Sequence, residues 1–358
     1  MRQHWQRKPL LIRDAFPNFV PTVDRELLFE LAGDPHAESR LITFSGGRRS
    51  LRHGPFVRLP SLQRSGWTLL VQGVDLLDDS ARQLLSRFRF VPDARLDDLM
   101  VSFATDGGGV GPHVDSYDVF LLQASGRRRW RISRQRRLRS TPAAPIDNVE
   151  GFRASSEWVL DAGDMLYLPP GVAHEGVALG ECMTYSIGFR APGYMQLLEP
   201  WFADYAERTN PGGRYADPGA TVTTHPAALP RAMTRQVHSE LTQHRPSQAD
   251  TERFLLRHFS EPKATTVFDA PAKALSSAQF RRRVTAHGLR LDRKTRVLYS
   301  NAAIGINGEL IEPARNAMPV LRALADQRNL STDRARRAPA AAWALLHVWY
   351  RAGWIVVD

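Results

Sequence analysis

The sequence predicts an α+β chain in three successive parts: a β-rich barrel or sandwich carrying helices, a helical stretch, and a compact mixture of helices and small strands. Three observations point there. Between residues 98 and 189, short apolar runs are separated by turn signals, the pattern of an all-β core. After Ala191-Pro192-Gly193 the strand signals give way to helical periodicity. Beyond Glu261-Pro262 short strands return, with Asn307-Gly308 as a tight hairpin turn, and two helices follow. At 358 residues the chain has room for two or three domains, and the boundaries expected are 1–195, 196–262 and 263–358.

Taken in order, residues 4–16 read as a helix end followed by a strand. Residues 24–32 suit a helix with Leu27, Leu28 and Leu31 on its apolar stripe. A strand over 41–44 breaks at Ser45-Gly46-Gly47, and His53-Gly54-Pro55 is turn chemistry. Residues 67–72 form a strand, and 78–88 a helix that Asp78 or Asp79 can cap. The β-core follows with strands over 98–104, 119–123, 129–132, 158–160, 165–168 and 183–189. Helices are expected over 197–209, 227–243 and 248–259. The last part offers strands over 289–291, 296–299, 303–306 and 309–311, helices over 318–327 and 338–351, and a final strand over 354–357. It resembles a winged-helix module, which need not bind nucleic acid.

The formal net charge is +11, much of it arginine in clusters such as Arg127 to Arg129, Arg134 to Arg139 and Arg281 to Arg283. A basic surface favours nucleic acid or an RNA-rich particle, and solvated arginine faces explain it equally well. No stretch reaches the length of a membrane span, and the apolar run Leu10-Leu11-Ile12 is too short for a signal peptide. A single cysteine, Cys182, fits a small buried core residue in a reducing cytoplasm. Walker loops, dinucleotide fingerprints, nucleophile elbows and Cys-x-x-Cys pairs are missing from the sequence.

The chemistry concentrates in residues 107–130. A glycine-rich loop delivers His113 and Asp115, two apart on a strand and therefore on one face. His174 follows the sharp turn Pro169-Pro170-Gly171. Two histidines and one carboxylate that leave other positions open form the ligand set of non-heme iron(II) oxygenases. Along Arg127 to Ile132 the odd positions are all arginine and suit solvent, whereas the even positions are Arg128, Trp130 and Ile132. A buried arginine needs a partner; 2-oxoglutarate would supply one, and so would an internal aspartate. Ser102 and Ser186, on core strands, can bond the same carboxylate or the backbone. Tyr117 shares the parity of His113 and Asp115 and can line the substrate entrance. Asp118 is a candidate for a cationic substrate or for pairing with a nearby arginine.

These motifs resemble the bacterial ribosomal oxygenases of the JmjC/cupin class. The resemblance is carried by His4-Trp5-Gln6-Arg7-Lys8-Pro9, by the segment Gly107 to Phe120, by Gly126-Arg127-Arg128-Arg129-Trp130-Arg131, by Pro169 to Gly176 and by Tyr185 to Pro192. It is dense over the first two hundred residues and rests beyond them on domain layout. It implies a double-stranded β-helix core, a helical dimerisation region giving a homodimer, and a winged-helix-like C-terminal domain. It further implies an Fe(II)- and 2-oxoglutarate-dependent dioxygenase that hydroxylates the β-carbon of an arginine in the sixteenth ribosomal protein of the 50S subunit. His113, Asp115 and His174 match the family's catalytic iron ligands, and Arg128 its 2-oxoglutarate-binding arginine. The rival readings are a JmjC-type hydroxylase or demethylase of another residue such as histidine, and a non-enzymatic RNA- or DNA-binding module.

Overall fold

The computed structural model describes all residues except 47, 136–137, 141–147, 210–211, 213, 219–224, 226 and 358, so Arg136 and Arg137 of the arginine run lie outside the described residues. The chain packs as two compact units. The first holds Met1–Ala191 together with Lys263–Asp269 and Asp292–Lys294, and the second holds the remainder, so the helical stretch and the C-terminal module share one unit.

In chain order the first unit runs β1 (Leu10–Ile12), α1 (Arg25–Gly33), β2 (Glu38–Ser45), β3 (Arg48–His53), β4 (Trp67–Gln72), α2 (Asp79–Ser86), β5 (Leu96–Ala104) and β6 (His113–Val114). It continues with β7 (Asp118–Ser133), β8 (Arg139–Ser140), β9 (Val149–Glu150), β10 (Ser156–Leu160), β11 (Met165–Leu168) and β12 (Ala173–Phe189). The main sheet has the order β1-β11-β7-β12-β5-β4-β2-β3, with β10 also pairing β7 and β6 also pairing β12. The long strands β7 and β12 run side by side and bend, so each serves two layers. Their near halves, Val119 to Leu122 against Met165 to Leu168 and Met183 to Phe189 against Leu96 to Ala104, build the large layer. Their far halves, Arg128 to Ile132 against Ser156 to Leu160 and His174 against His113, build the small one. This is the double-stranded β-helix.

The bend corrects one expectation. A short turn was expected ahead of the strand that carries Arg128, yet residues 124–126 continue a single strand with a register shift near Ser125. Gly126 makes it feasible: its φ is +62°, and a Cβ there would lie 2.1 Å from the Glu181 carbonyl oxygen.

Alternation divides the large layer. Leu69, Val71, Val101, Phe103, Phe120 and Leu122 pack outward into the main core, covered by Leu28 and Ala32 of α1 and Leu84 and Leu85 of α2. Both helices begin on an aspartate cap: Asp24 accepts from the Leu27 amide and Asp78 from the Ala81 amide, each at 2.9 Å. The opposite face, with Leu70, Ser102, Val119 and Leu121, is left to line a cavity.

The second unit opens with α3 (Tyr194–Thr209), α4 (Arg231–Gln243), α5 (Gln248–Ser260) and α6 (Ser277–His287). A capping box at Ser247 starts α5, and another at Ser276 starts α6. Strands β13 (Leu289–Leu291), β14 (Val297–Tyr299), β15 (Ile304–Ile306) and β16 (Glu309–Ile311) follow, then α7 (Met318–Gln327), β17 (Asn329–Leu330), α8 (Thr332–Arg336), α9 (Ala340–Arg351) and β18 (Ile355–Val356). Phe280, Val284, Leu321, Leu346 and Trp349 centre its separate core. Among the described residues no helix is long and apolar enough to cross a membrane.

Candidate active site

The glycine loop before β6 is pinned from several sides. The Gly107 amide donates to the Ala178 carbonyl at 3.0 Å, and the Ala178 amide returns a bond to Gly108 at 2.9 Å. Asn148 donates to the carbonyls of Val110 and Pro112, both at 3.1 Å. Gly109 lies against β12 so closely that a Cβ would stand 2.3 Å from the Gly176 carbonyl oxygen. The loop is therefore a fitted strap that fixes where His113 emerges.

His113 of β6 and His174 of β12 are cross-strand partners, with ring centroids 4.2 Å apart. Asp115 completes the group. Its carboxylate oxygens lie 3.9 Å from His113 Nε2 and 3.6 Å from His174 Nε2. The Gly171 amide, in the turn before His174, donates to the Asp115 carbonyl at 2.8 Å and holds its backbone in place. One ligand atom from each of the three residues lies within 4.8 Å of the other two.

The ring orientations decide what the group can bind. Each Nδ1 sits 2.9 Å from a backbone carbonyl, Gly111 for His113 and Val172 for His174. A carbonyl only accepts, so Nδ1 carries the proton and Nε2 presents its lone pair to the shared space. Burial, with the neighbouring His113, lowers the His174 imidazole to about 3, keeping it neutral as a ligand must be. Burial raises the Asp115 carboxyl, against the lowering pull of His113 and Tyr117. A divalent cation would reverse that balance. The donor set fits a metal ion held on one face.

A cavity of about 390 Å³ opens from this group. Arg128 and Trp130 line it from the far half of β7, on the even parity read from the sequence. Arg128 is 5% exposed, and its Nε and Nη2 have no hydrogen-bond partner among the described residues. Leaving such donors unmade costs on the order of 1–3 kcal/mol or more for a charged group, and an anion that enters with a ligand can satisfy them. The internal aspartate partner envisaged from sequence does not occur among the described residues.

Ser102 and Ser186 also line the cavity. The Ser102 hydroxyl donates to the Thr184 carbonyl at 3.3 Å, a backbone partner. Tyr117, 40% exposed, stands on the cavity wall. Asp118 does not face the cavity. It occupies the opposite parity from Tyr117 and Val119, is fully buried, pairs with Arg95 at 3.0 Å, and accepts from Tyr167 at 2.6 Å and Gln6 at 3.0 Å. With its oxygens taken, Asp118 follows the second of its two readings, the pairing with a nearby arginine. Sequence reasoning missed Arg40, Thr68 and Met100, which also line the cavity. Alternation with Ile42 and Leu70 in β2 and β4 was the available signal.

Comparison with known proteins agrees with this geometry. Residues 83–197 match the JmjC domain model and residues 240–355 the ROXA-like winged helix model. The structure of Escherichia coli ycfD superposes with a TM-score of 0.90, at 31% identity, over 100% of this chain and 96% of that one. The chain belongs to the ribosomal oxygenase family. Among curated relatives, the ribosomal protein uL16 3-hydroxylase of Escherichia coli is 41% identical over 238 residues, 66% of this chain and 64% of that protein. The aligned stretch thus spans just under two thirds of that relative. A further Escherichia coli YcfD structure, described as a complex with cobalt and 2-oxoglutarate, has a TM-score of 0.87 at 30% identity, covering 100% of this chain and 96% of that one. Membership accounts for both halves of the architecture, the double-stranded β-helix and the winged helix.

Proposed function

We propose that this family member is an Fe(II)- and 2-oxoglutarate-dependent oxygenase that hydroxylates the β-carbon of an arginine in the sixteenth large-subunit ribosomal protein. The observation that carries the reading is Arg128, a buried guanidinium with unused donors in the same cavity as the His113, Asp115 and His174 group. His113 and His174 through Nε2, and Asp115 through its carboxylate, would hold the iron. Arg128 would take the far carboxylate of 2-oxoglutarate as a planar, bidentate partner, with Ser102 and Ser186 beside it. Bound together, iron(II), 2-oxoglutarate and oxygen supply oxidative decarboxylation coupled to C–H hydroxylation.

The chain's own residues do the rest. The carbonyls of Gly111 and Val172 hold the Nδ1 protons, so both rings keep their orientation. Val119, Leu121 and Trp130 shed water from the reacting space. Tyr117 stands where a peptide side chain would enter. The names of the relatives support the ribosomal substrate and the 3-position. The net charge of +11 supports work beside ribosomal RNA. Tyr194, Met195 and Phe202, exposed on α3, support a homodimer through that helix.

The test is 2-oxoglutarate turnover with peptides of the ribosomal protein. Succinate formation should be stimulated by the peptide carrying the target arginine and not by the same peptide with that arginine replaced by alanine. Stimulation by a histidine- or methyl-lysine-bearing peptide instead would move the activity to a related hydroxylase or demethylase with the same metal residues.

A further inference from the structure

The cavity holds a second guanidinium that the proposed reaction leaves unassigned. Arg40 of β2 lines the wall with Met100, Leu70 and Tyr117. Its Nη2 donates to Gln72 Oε1 at 2.9 Å and approaches Met100 Sδ at 3.6 Å. Gln72 is itself fixed, because its Nε2 donates to Asp98 Oδ2 at 2.8 Å and Asp98 pairs with Lys263 at 2.5 Å. A chain of four residues therefore sets the plane of the Arg40 head. Within that fixed head, Nε is buried and has no acceptor among the described residues.

A ligand that enters the cavity can supply the acceptor this donor lacks among the described residues. Among the described residues lining the cavity, Asp115 is the sole carboxylate, and it belongs to the metal-binding group. Two ligands enter a 2-oxoglutarate hydroxylase. The co-substrate is accounted for at both ends, one by the metal group and the other by Arg128. The peptide is not.

We propose that Arg40 is a specificity-determining residue whose Nε–H donates to a carbonyl or carboxylate oxygen of the peptide substrate beside the target residue, with Gln72 as its positioning residue. This rests on the hydroxylase reading and adds the chemistry of recognition. A cation at this place also disfavours a second positive side chain next to the target. A basic enzyme thereby selects one segment of a basic protein.

The test measures binding without turnover. A fluorescent peptide of the ribosomal protein is titrated into manganese-loaded protein by anisotropy, and 2-oxoglutarate into the same protein by calorimetry. Arg40→Gln should weaken peptide binding about tenfold, the loss of one charge-assisted hydrogen bond, and leave the 2-oxoglutarate Kd unchanged. That unchanged Kd also shows that the variant is folded. Gln72→Leu should weaken the peptide less and in the same direction. Arg40→Lys should keep the defect, because lysine has no donor at the Nε position. Restoration by lysine, or a loss confined to 2-oxoglutarate, would overturn the proposal, as would unchanged peptide binding in Arg40→Gln. Failure of the wild type to bind either ligand would remove the hydroxylase reading and this proposal with it.

Discussion

Arg128 and His174 show how single residues fix the chemistry. Arg128 is a buried cation whose two unused nitrogens make sense with a carboxylate ligand in place. Replacing it with glutamine should raise the KM for 2-oxoglutarate about 100-fold, on the order of 3 kcal/mol for a lost bidentate charge pair. The effect on kcat at saturating co-substrate should be smaller, and initial rates across a 2-oxoglutarate series separate the two. These residues were legible in the sequence because alternation along a strand is local. The parity of Arg127 to Ile132 placed Arg128 inward; His113 and Asp115 do come together, although Asp115 lies just past the end of β6 and not on the strand as read. Asp118 was harder. Its partners Gln6, Arg95 and Tyr167 come from three distant segments, and no local pattern announces them.

At the scale of elements, the bend of β7 matters most, because it carries Arg128 from the large layer into the small one. Gly126→Ala asks alanine for a left-handed backbone and sets its Cβ against the Glu181 carbonyl. The unfolding free energy should fall by about 2 kcal/mol or more, read by denaturant titration. The sequence showed both halves of β7 and made Gly126 look like a turn. A glycine signals a change of direction, and whether the strand ends or bends depends on the partner strand.

A second test concerns Asp75, which lies in the turn between β4 and α2 and accepts from the Leu99 amide at 2.9 Å. Full burial, with Asp98 nearby, raises its carboxyl from 3.8 to about 6, against the lowering influence of Arg82, the Leu99 amide and Lys263. A raised folded-state value means the native state holds the proton more tightly than the unfolded chain. The stabilisation is therefore complete below about pH 4 and lost as pH rises through 6. The Tm of Asp75→Asn minus that of wild type should grow between these limits and then level off; a flat difference would contradict the assignment.

For the whole molecule, composition, punctuation and periodicity gave the succession of β-core, helices and small mixed module. They did not show that short pieces far along the chain, Lys263–Asp269 and Asp292–Lys294, pack with the first unit. Such returns depend on contacts like Lys263 with Asp98, which carry no periodic signal. Tyr194, Met195 and Phe202 are 92%, 75% and 53% exposed. Charging them with Met195→Asp and Phe202→Asp should halve the mass seen by light scattering if α3 joins two copies, while metal binding persists. The central claim is the reaction itself. Its most direct test is fragmentation mass spectrometry of the cognate ribosomal-protein peptide after incubation with the protein, Fe(II) and 2-oxoglutarate. One added oxygen on the arginine β-carbon, absent with His113→Ala, is the predicted result. Consumption of 2-oxoglutarate with the oxygen on another residue, or no added oxygen in iron-loaded protein, would contradict it.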